Sequence, residues 1–287
     1  MERRPAWLKI RLRTDEAFVG LRTMVRELEL NTVCTEARCP NIYECWNAGT
    51  ATFMILGDTC TRRCGFCSVT SGRPAAGVDP AEPAHVAEAV ARLGLRHAVI
   101  TSVDRDDLAD GGAGHFRDVL VAIRERLPEC AVEVLTPDFK GKPGALEVVL
   151  GAAPVVFAHN VETVPSLYRT ARPGSRYRGS LALLQAAAAW RDERAPRLRV
   201  KSSLMLGLGE RRVEISSVLA DLRRAGVDVV TLGQYLQPTR EHLPVARYVP
   251  PAEFEELRRE AQDLGFLHVE AGPLVRSSYH AERHVPA

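Results

Sequence analysis

Seven cysteines are the most reactive groups in this sequence, and six of them fall within residues 34–67. They form two triads: Cys34, Cys39 and Cys45 are spaced C-x4-C-x5-C, and Cys60, Cys64 and Cys67 are spaced C-x3-C-x2-C. Thiolates this close together in a reducing compartment are usually metal ligands. The odd cysteine count, and an N-terminus reading Met-Glu-Arg-Arg-Pro with no apolar leader, argue against a disulfide framework. Structural zinc takes four protein ligands and prefers short C-x-x-C-type pairs. Two triads fit that poorly, although a Cys3His zinc site stays open, more so for the first triad than for the second. An iron–sulfur cube takes one ligand per iron, so a triad leaves one iron open to a further group. Cys130 stands alone ahead of a strand pattern and reads as a small buried hydrophobe.

The other candidate groups are less distinctive. Asp104, Asp106, Asp107 and Asp110 are clustered, but no Gly-centred loop with a terminal Glu surrounds them, so polar contacts to a ligand are expected rather than a divalent cation. Gly207 and Gly209 lack the third glycine of a dinucleotide fingerprint. Arg3, Arg4, Lys9, Arg11 and Arg13 read as a solvated basic face. With 38 basic and 36 acidic residues in 287, the net charge of +2 does not suggest a nucleic-acid binder. A chain 46% hydrophobic and 26% charged has ample core material. No apolar run approaches the ~20 residues of a membrane helix. The chain is expected in the cytoplasm, without membrane or nucleic acid as partner.

These groups need a scaffold, and the hydrophobic pattern supplies one. Apolar β-branched runs at Thr52–Leu56, His97–Ile100, Ala131–Leu135, Pro154–Ala158, Leu198–Leu204 and Asp228–Leu232 read as strands, with a further one at Phe266–Glu270. Helical patterns lie between them at Glu82–Leu93, Ala113–Leu127, Pro143–Leu150, Arg178–Trp190, Val213–Ala225 and Pro251–Leu264. Alternating strands and helices imply parallel βαβ units. Polar or Gly-rich segments follow every strand, as on the catalytic rim of an α/β barrel, whereas a doubly wound sheet gathers them at one switch point. The expected fold is therefore α/β, a partial (β/α)6 TIM-like barrel with N- and C-terminal extensions. Residues 1–50 form an N-terminal extension with its own cysteine triad, 51–271 the barrel and 272–287 a C-terminal tail.

Cys60-Thr61-Arg62-Arg63-Cys64-Gly65-Phe66-Cys67 resembles the C-x3-C-x-φ-C signature of radical S-adenosylmethionine (SAM) enzymes. Cys34-Thr35-Glu36-Ala37-Arg38-Cys39-Pro40-Asn41-Ile42-Tyr43-Glu44-Cys45-Trp46 resembles the auxiliary-cluster motif of one family within them, lipoyl synthase. So does the opening Pro5-Ala6-Trp7-Leu8-Lys9, and the tail Arg276-Ser277-Ser278-Tyr279 resembles that family's C-terminal motif. Segments Asp104–Phe116, His159–Tyr168, Lys201–Glu210 and Gln234–Pro250 also look like family blocks, so the resemblance covers residues 5–280. Three positions depart from the pattern: Ser203 stands where Gly is usual, Arg211 where Thr is common, and Gly179 where an Arg often precedes Ser180.

The resemblance implies two 4Fe–4S clusters and SAM as cofactors. Cys60, Cys64 and Cys67 would hold the SAM-binding cluster; Cys34, Cys39, Cys45 and Ser278 would hold the auxiliary one. Phe66, Asn160, Glu162 and Lys201 become candidates for SAM or substrate contacts on the rim, and Arg276 and Tyr279 for positioning the tail. The implied reaction inserts sulfur at C6 and C8 of an octanoyl chain on a carrier-protein lysine, with the auxiliary cluster as sulfur source. Implied partners are octanoylated lipoyl carrier domains (2-oxoacid dehydrogenase E2 subunits and the glycine cleavage H protein) and a low-potential electron donor such as ferredoxin or flavodoxin. Two rivals are radical SAM sulfur insertion into another substrate, as in biotin synthase, and a non-enzymatic iron–sulfur carrier.

Overall fold

The computed structural model describes residues 5–9, 16–28, 30–36, 39, 41–47, 52–75 and 77–284. Arg3, Arg4, Arg11 and Arg13 of the basic stretch, and Ala37, Arg38 and Pro40 of the first triad's motif, lie outside the described residues. The N-terminal arm contains α1 (Glu16–Glu27), a short strand β1 (Asn31–Thr32), α2 (Val33–Glu36) and α3 (Ile42–Asn47). The barrel opens with β2 (Thr52–Ile55), followed by a two-stranded parallel ladder of β3 (Thr59–Cys60) and β4 (Thr70–Ser71). Then come α4 (Glu82–Arg92), β5 (His97–Ser102), α5 (Ala113–Arg126), β6 (Ala131–Leu135), α6 (Ala145–Gly151) and β7 (Val156–Ala158). The remaining elements are α7 (Tyr168–Ala171), α8 (Tyr177–Arg194), β8 (Arg199–Leu206), α9 (Arg212–Arg224), β9 (Val229–Gln234), α10 (Pro251–Asp263) and β10 (His268–Gly272).

The main sheet runs β1-β2-β5-β6-β7-β8-β9-β10. From β2 to β10 every neighbour pair is parallel, and spatial order follows chain order, as in a barrel wall rather than a doubly wound sheet. Among the described residues β10 pairs with β9 and with no strand on its other side, so the barrel is partial. β1 of the arm pairs antiparallel with β2, Asn31 opposite Met54 and Thr32 opposite Phe53.

Alternation along the strands sorts the side chains. Ala98 and Ile100, Val132 and Val134, Val200 and Leu204, Val230 and Leu232, and Val269 and Ala271 join one hydrophobic cluster with the helices' Val86, Phe116, Leu120, Leu184, Leu219 and Phe254. Residues of the opposite parity, including His97, Glu133, Lys201, His268 and Glu270, turn into the barrel and meet one another there. Helix starts are marked by local chemistry, with Pro83 and Pro251 in the first turns of α4 and α10. Gly112 precedes α5 at φ +90°, and a Cβ there would lie 2.3 Å from Leu56 Cδ1.

Where observed bounds differ from those expected, the reason is local. The strand expected from Asp228 begins at Val229, because Asp228 Oδ2 accepts Val200 N and Arg191 instead. The last strand starts at His268 rather than Phe266, since Gly265 (φ +89°) turns the chain and Leu267 N donates to Asp228 O. Helix α8 runs on from Trp190 to Arg194, its last turn rich in basic side chains that suit a helix C-terminus.

Beyond β10 the tail crosses the end of β9. Asn41 Nδ2, from the arm, donates to Leu274 O at 2.7 Å. A Cβ on Gly233 would lie 2.1 Å from Val275 O, so glycine alone lets the tail backbone press against β9. Gly233→Ala is expected to push the tail outward and to cost about 1–3 kcal/mol. Thermal unfolding, with hydrogen exchange of residues 273–279, measures both effects; unchanged exchange there would refute the close-approach argument.

Candidate active site

The second cysteine triad runs from Cys60, the last residue of β3, into the loop that leads to β4, just after the first barrel strand. Backbone bonds stitch this loop to the rim: Thr61 N donates to Asp104 O (2.9 Å), Gly65 N to Ala171 O (2.9 Å) and Leu243 N to Gly65 O (2.9 Å). His242 Nδ1 accepts from Thr239 Oγ1, so its Nε2–H donates to Cys67 O at 2.8 Å. Gly65 is sterically required, because a Cβ there would lie 2.9 Å from Leu243 Cγ and 3.1 Å from Thr170 O.

Arg62, within the triad and only 6% exposed, ties the loop to three rim segments. Its Nε and Nη2 donate to both oxygens of Asp106 (3.0 and 2.9 Å), Nη2 also to Asp138, and Nη1 to Ser175 Oγ (2.9 Å). Burial raises the Asp138 pKa, but the hydrogen bond and the charge of Arg62 outweigh it and bring it to about 2. The aspartates expected as ligand contacts are thus mostly engaged elsewhere. Asp106 pairs with Arg62 and Lys140, Asp107 with Arg105, and Asp110 accepts Gly112 N and Gly114 N at the start of α5. Asp104 alone lines the cavity, with Oδ1 3.3 Å from Arg62 Nε but without a hydrogen bond.

That cavity occupies about 610 Å³ at the C-terminal end of the strands. Cys60, Cys64, Phe66 and Cys67 line one side, and Val33, Arg276 and Ser277 another, so both chain extensions reach it. Asn160, Glu162 and Arg172 form a polar wall, whereas Met54, Val103, Leu135, Leu204, Met205 and Leu236 make an apolar one. Glu162 is held at φ +65°, bridged to Leu204, and accepts from Asn160 Nδ2 at 3.1 Å. Burial raises the Glu162 pKa, with Arg172 opposing. Arg172 is fixed in turn: its Nη1 donates to Asn160 O (2.7 Å) and to Tyr168 Oη (3.1 Å), and Tyr168 Oη donates to Ser180 Oγ. His159 completes this chain, Nδ1–H donating to Thr136 O and Nε2 accepting from Ser180 Oγ, each at 2.9 Å. Burial, then Arg172, pushes the His159 pKa down to about 4, so the imidazole is neutral.

The first triad is assembled from the arm and the tail. Cys39 N donates to Cys34 O at 3.0 Å, which folds Cys34 and Cys39 together. Burial and then the charges of Cys34 and Cys39 push the Cys45 thiol up to about 12. Burial raises Cys39 too, opposed by Asn41 N–H and by the charge of Arg276. Tyr279 Oη donates to Glu44 at 3.0 Å, beside Cys45. Residues on both sides of Ser278 therefore meet the first triad, and Ser278 itself is half-buried.

Four rim residues were singled out in the sequence as SAM or substrate contacts. Phe66, Asn160 and Glu162 line the cavity. Lys201 does not. Its strand position points it into the barrel below, fully buried, where Nζ donates to Glu133 Oε1 (2.7 Å) and to His284 Nδ1 (2.9 Å). Asp104, expected from its aspartate cluster to contact a ligand, also lines the cavity; so do Arg172 and His159, which carry no usable sequence signal, since a lone Arg before Pro-Gly or a lone His reads as structural. Of the three departures only Ser203 lines the cavity; Arg211 pairs with Glu214 on the surface, and Gly179 lies on the exposed side of α8.

The donor set fits iron–sulfur clusters with SAM. Cys60 Sγ accepts two backbone N–H groups, from Arg62 and Asp104 (3.4 Å each), of the kind that tune cluster sulfurs. Burial, then Asp104, pushes Cys60 up to about 11, and burial pushes Cys64 up to about 12. Bound iron, as a cation, would reverse that and take the thiolates. Zinc with Zn–S bonds of ~2.3 Å would draw its sulfurs to about 4 Å apart. Among the described residues, the one group of three such ligand atoms within 4.8 Å is His268, Glu270 and His284, and it includes no cysteine. Asp104 Oδ1, Asn160 Oδ1 and Arg172 Nε are buried without hydrogen-bond partners, as a ligand with amino and carboxylate groups would require.

The radical SAM superfamily profile matches residues 54–222. The sequence is 56% identical over 282 residues to the lipoyl synthase of Symbiobacterium thermophilum, covering 98% of this chain and 87% of that one. It is 56% identical over 282 residues to the lipoyl synthase of Methylococcus capsulatus, covering 98% and 86%. Among solved structures, Streptococcus suis SuiB bound to S-adenosylmethionine is similar in fold with a TM-score of 0.55 at 13% identity. That likeness covers 93% of this chain but only 58% of SuiB, less than two thirds of its length.

Two outcomes follow from the site's electrostatics. His159 is depressed from 6.5 to about 4, so its contribution, on the order of 3 kcal/mol, is complete above pH 6.5. It is lost as pH falls from 6.5 towards about 4. Thermal unfolding of cluster-free protein across this window should fall less steeply for His159→Gln; parallel slopes would contradict a neutral buried imidazole. Arg62→Met leaves three carboxylates facing one another, and we expect it to lower iron incorporation at the second triad while sparing the first, as read by Mössbauer spectra of reconstituted protein.

Proposed function

The chain belongs to the lipoyl synthase family of radical SAM enzymes, and from that premise we propose how its own residues divide the work. It is a sulfurtransferase that uses 4Fe–4S clusters and SAM to insert sulfur into an octanoyl substrate. Cys60, Cys64 and Cys67 hold the SAM-binding cluster. Cys34, Cys39, Cys45 and Ser278 hold the auxiliary one. When bound, the first cluster supplies the electron that cleaves SAM and the second supplies the sulfur placed at C6 and C8. The observation that carries this reading is that Val33 and Ser277, the chain neighbours of Cys34 and Ser278, line the same cavity as Cys60, Cys64 and Cys67.

The protein's part is binding, orientation and exclusion of water. Asp104 and Glu162 would hold the amino group of SAM, Arg172 its carboxylate, and Phe66 its adenine. Neutral His159, through Ser180 and Tyr168, holds Arg172 in place without adding a second positive charge. The apolar wall around Leu135 and Met205 takes the octanoyl chain. Its unactivated C–H bonds need a strong radical abstractor, and a dry wall protects that radical from water. A serine oxygen is a harder ligand than thiolate and a poorer match for cluster iron, so Ser278 would be the most weakly held of the four ligands.

Octanoylated carrier domains, those of 2-oxoacid dehydrogenase E2 subunits and the glycine cleavage H protein, deliver the substrate. Ferredoxin or flavodoxin supplies the electrons, and the setting is the cytoplasm. Among the described residues no helix is long and apolar enough to cross a membrane.

The deciding experiment is an anaerobic single turnover of cluster-reconstituted protein with SAM, dithionite and an octanoyl-lysyl peptide, read by mass spectrometry. Two sulfurs gained, with deoxyadenosine formed alongside, are expected. Deoxyadenosine without modified peptide would move the substrate elsewhere. Ser278→Cys should assemble both clusters and transfer sulfur slowly; turnover at the wild-type rate would refute the role given to the serine.

A further inference from the structure

The lower half of the barrel interior holds charge that the reaction does not use. Lys201 and Glu133 are 0% and 1% exposed and form an ion pair at 2.7 Å. His97 lies nearby, its Nε2 3.6 Å from Glu133 Oε2. The chain end enters this chamber: Ala281 is buried, Ala281–Arg283 makes one tight turn, and His284, 3% exposed, places Nδ1 at 2.9 Å from Lys201 Nζ. The His284 ring also stacks on His268, with centroids 4.6 Å apart.

Two readings compete for this cluster. His268, Glu270 and His284 bring ligand atoms within 4.8 Å of one another, as a metal site would. The hydrogen bond to Lys201 opposes that reading. An ammonium has donors only, so His284 Nδ1 must accept and Nε2 must carry the proton. A protonated Nε2 has no lone pair for a metal. It is also buried without a hydrogen-bond partner, so the nitrogen that orders this ring is Nδ1.

The second reading concerns register. A buried ion pair costs desolvation and adds little net stability, and its best-attested use is to fix register. What Lys201 fixes is the tail. Upstream of Ser278 the chain is held by Asn41 on Leu274 O and by the close contact of Val275 O with Gly233. Downstream, the Tyr279–Glu44 bond is exposed and therefore weak. Among the described residues, the buried hydrogen bond from the tail to the barrel on that side is His284 on Lys201.

We propose that His284, seated on the Lys201–Glu133 pair, is a positioning residue that holds the C-terminal tail so that Ser278 faces the first cysteine triad. This rests on the reading of Ser278 as the fourth ligand of the auxiliary cluster. Lys201 thereby serves the site from inside the barrel instead of from the rim.

The test compares wild type with His284→Leu, His284→Asn, His284→Gln and Ser278→Ala. Asparagine presents a carbonyl oxygen where His284 has Nδ1; glutamine carries its carbonyl one bond further out; leucine presents no acceptor. In cluster-free protein, H284L and H284Q should raise hydrogen exchange across residues 273–284, while H284N stays close to wild type. In reconstituted protein, H284L and H284Q should lose auxiliary-cluster iron to a chelator on the order of tenfold faster. Deoxyadenosine formation without peptide substrate should be unchanged, which also shows that the barrel is folded. Should H284L not fold, the H284N and H284Q pair carries the comparison. Wild-type exchange in H284Q, or H284N no better than H284Q, would overturn the anchor. A Mössbauer spectrum of S278A identical to wild type would instead overturn the serine ligand, and the exchange data would still judge the anchor by themselves.

Discussion

In a strand, neighbouring side chains point to opposite faces, and in this protein helices cover only one of those faces. The sites depend on that constraint. One parity, with Ile100, Val134, Val200 and Leu232, is committed to packing under the helices. The other parity forms an interior that no helix can fill. Its upper part is the cavity between the cysteine triads, and its lower part is closed by Glu133, Lys201 and the returning chain end. Because the sheet stops at β10 without pairing onward among the described residues, the interior has a side through which arm and tail can enter.

The two triads are built on different physical terms. Cys60, Cys64 and Cys67 belong to a loop that is a direct extension of a barrel strand and is held by backbone bonds and by Arg62. Such a loop is pinned to the rim by the barrel's own hydrogen bonds. The other triad comes from an arm joined to the barrel by a two-residue strand, and its neighbourhood is completed by the far end of the chain. Metal ligation and local folding are commonly coupled in segments of this kind. The division suits the two different roles proposed for the triads.

The rim also shows how charge is kept available. Arg62 faces three carboxylates and leaves Asp104 the least satisfied, at the cavity. His159, kept neutral by burial, orders Ser180 and Tyr168 beneath Arg172 without competing with it for an anion. Both arrangements bring together residues that are far apart in sequence, for example 76 positions between Arg62 and Asp138.

Much of this was legible in the sequence, because it depends on short-range spacing. The order of strands and helices follows from apolar periodicity, and the cysteine triads from intervals of a few residues. Ser278 could be named only through the resemblance of Arg276-Ser277-Ser278-Tyr279 to a family motif. Periodicity also places Lys201 on an inward-facing strand position, but it does not say how far along the barrel axis that position lies. The axial position is set by the stagger between strands: Lys201 pairs with Val229 and Ala158, three residues below the bridge of Leu204 to Glu162 at the rim. Tertiary structure alone therefore decided that Lys201 meets Glu133 and His284 and not the cavity, that Asp106, Asp107 and Asp110 are spent on structure, and that Arg172 and His159 belong to the site. Sequence determines which groups a strand or loop presents. Which of them meet is determined by stagger and by the path of the chain's two ends, which no local spacing encodes.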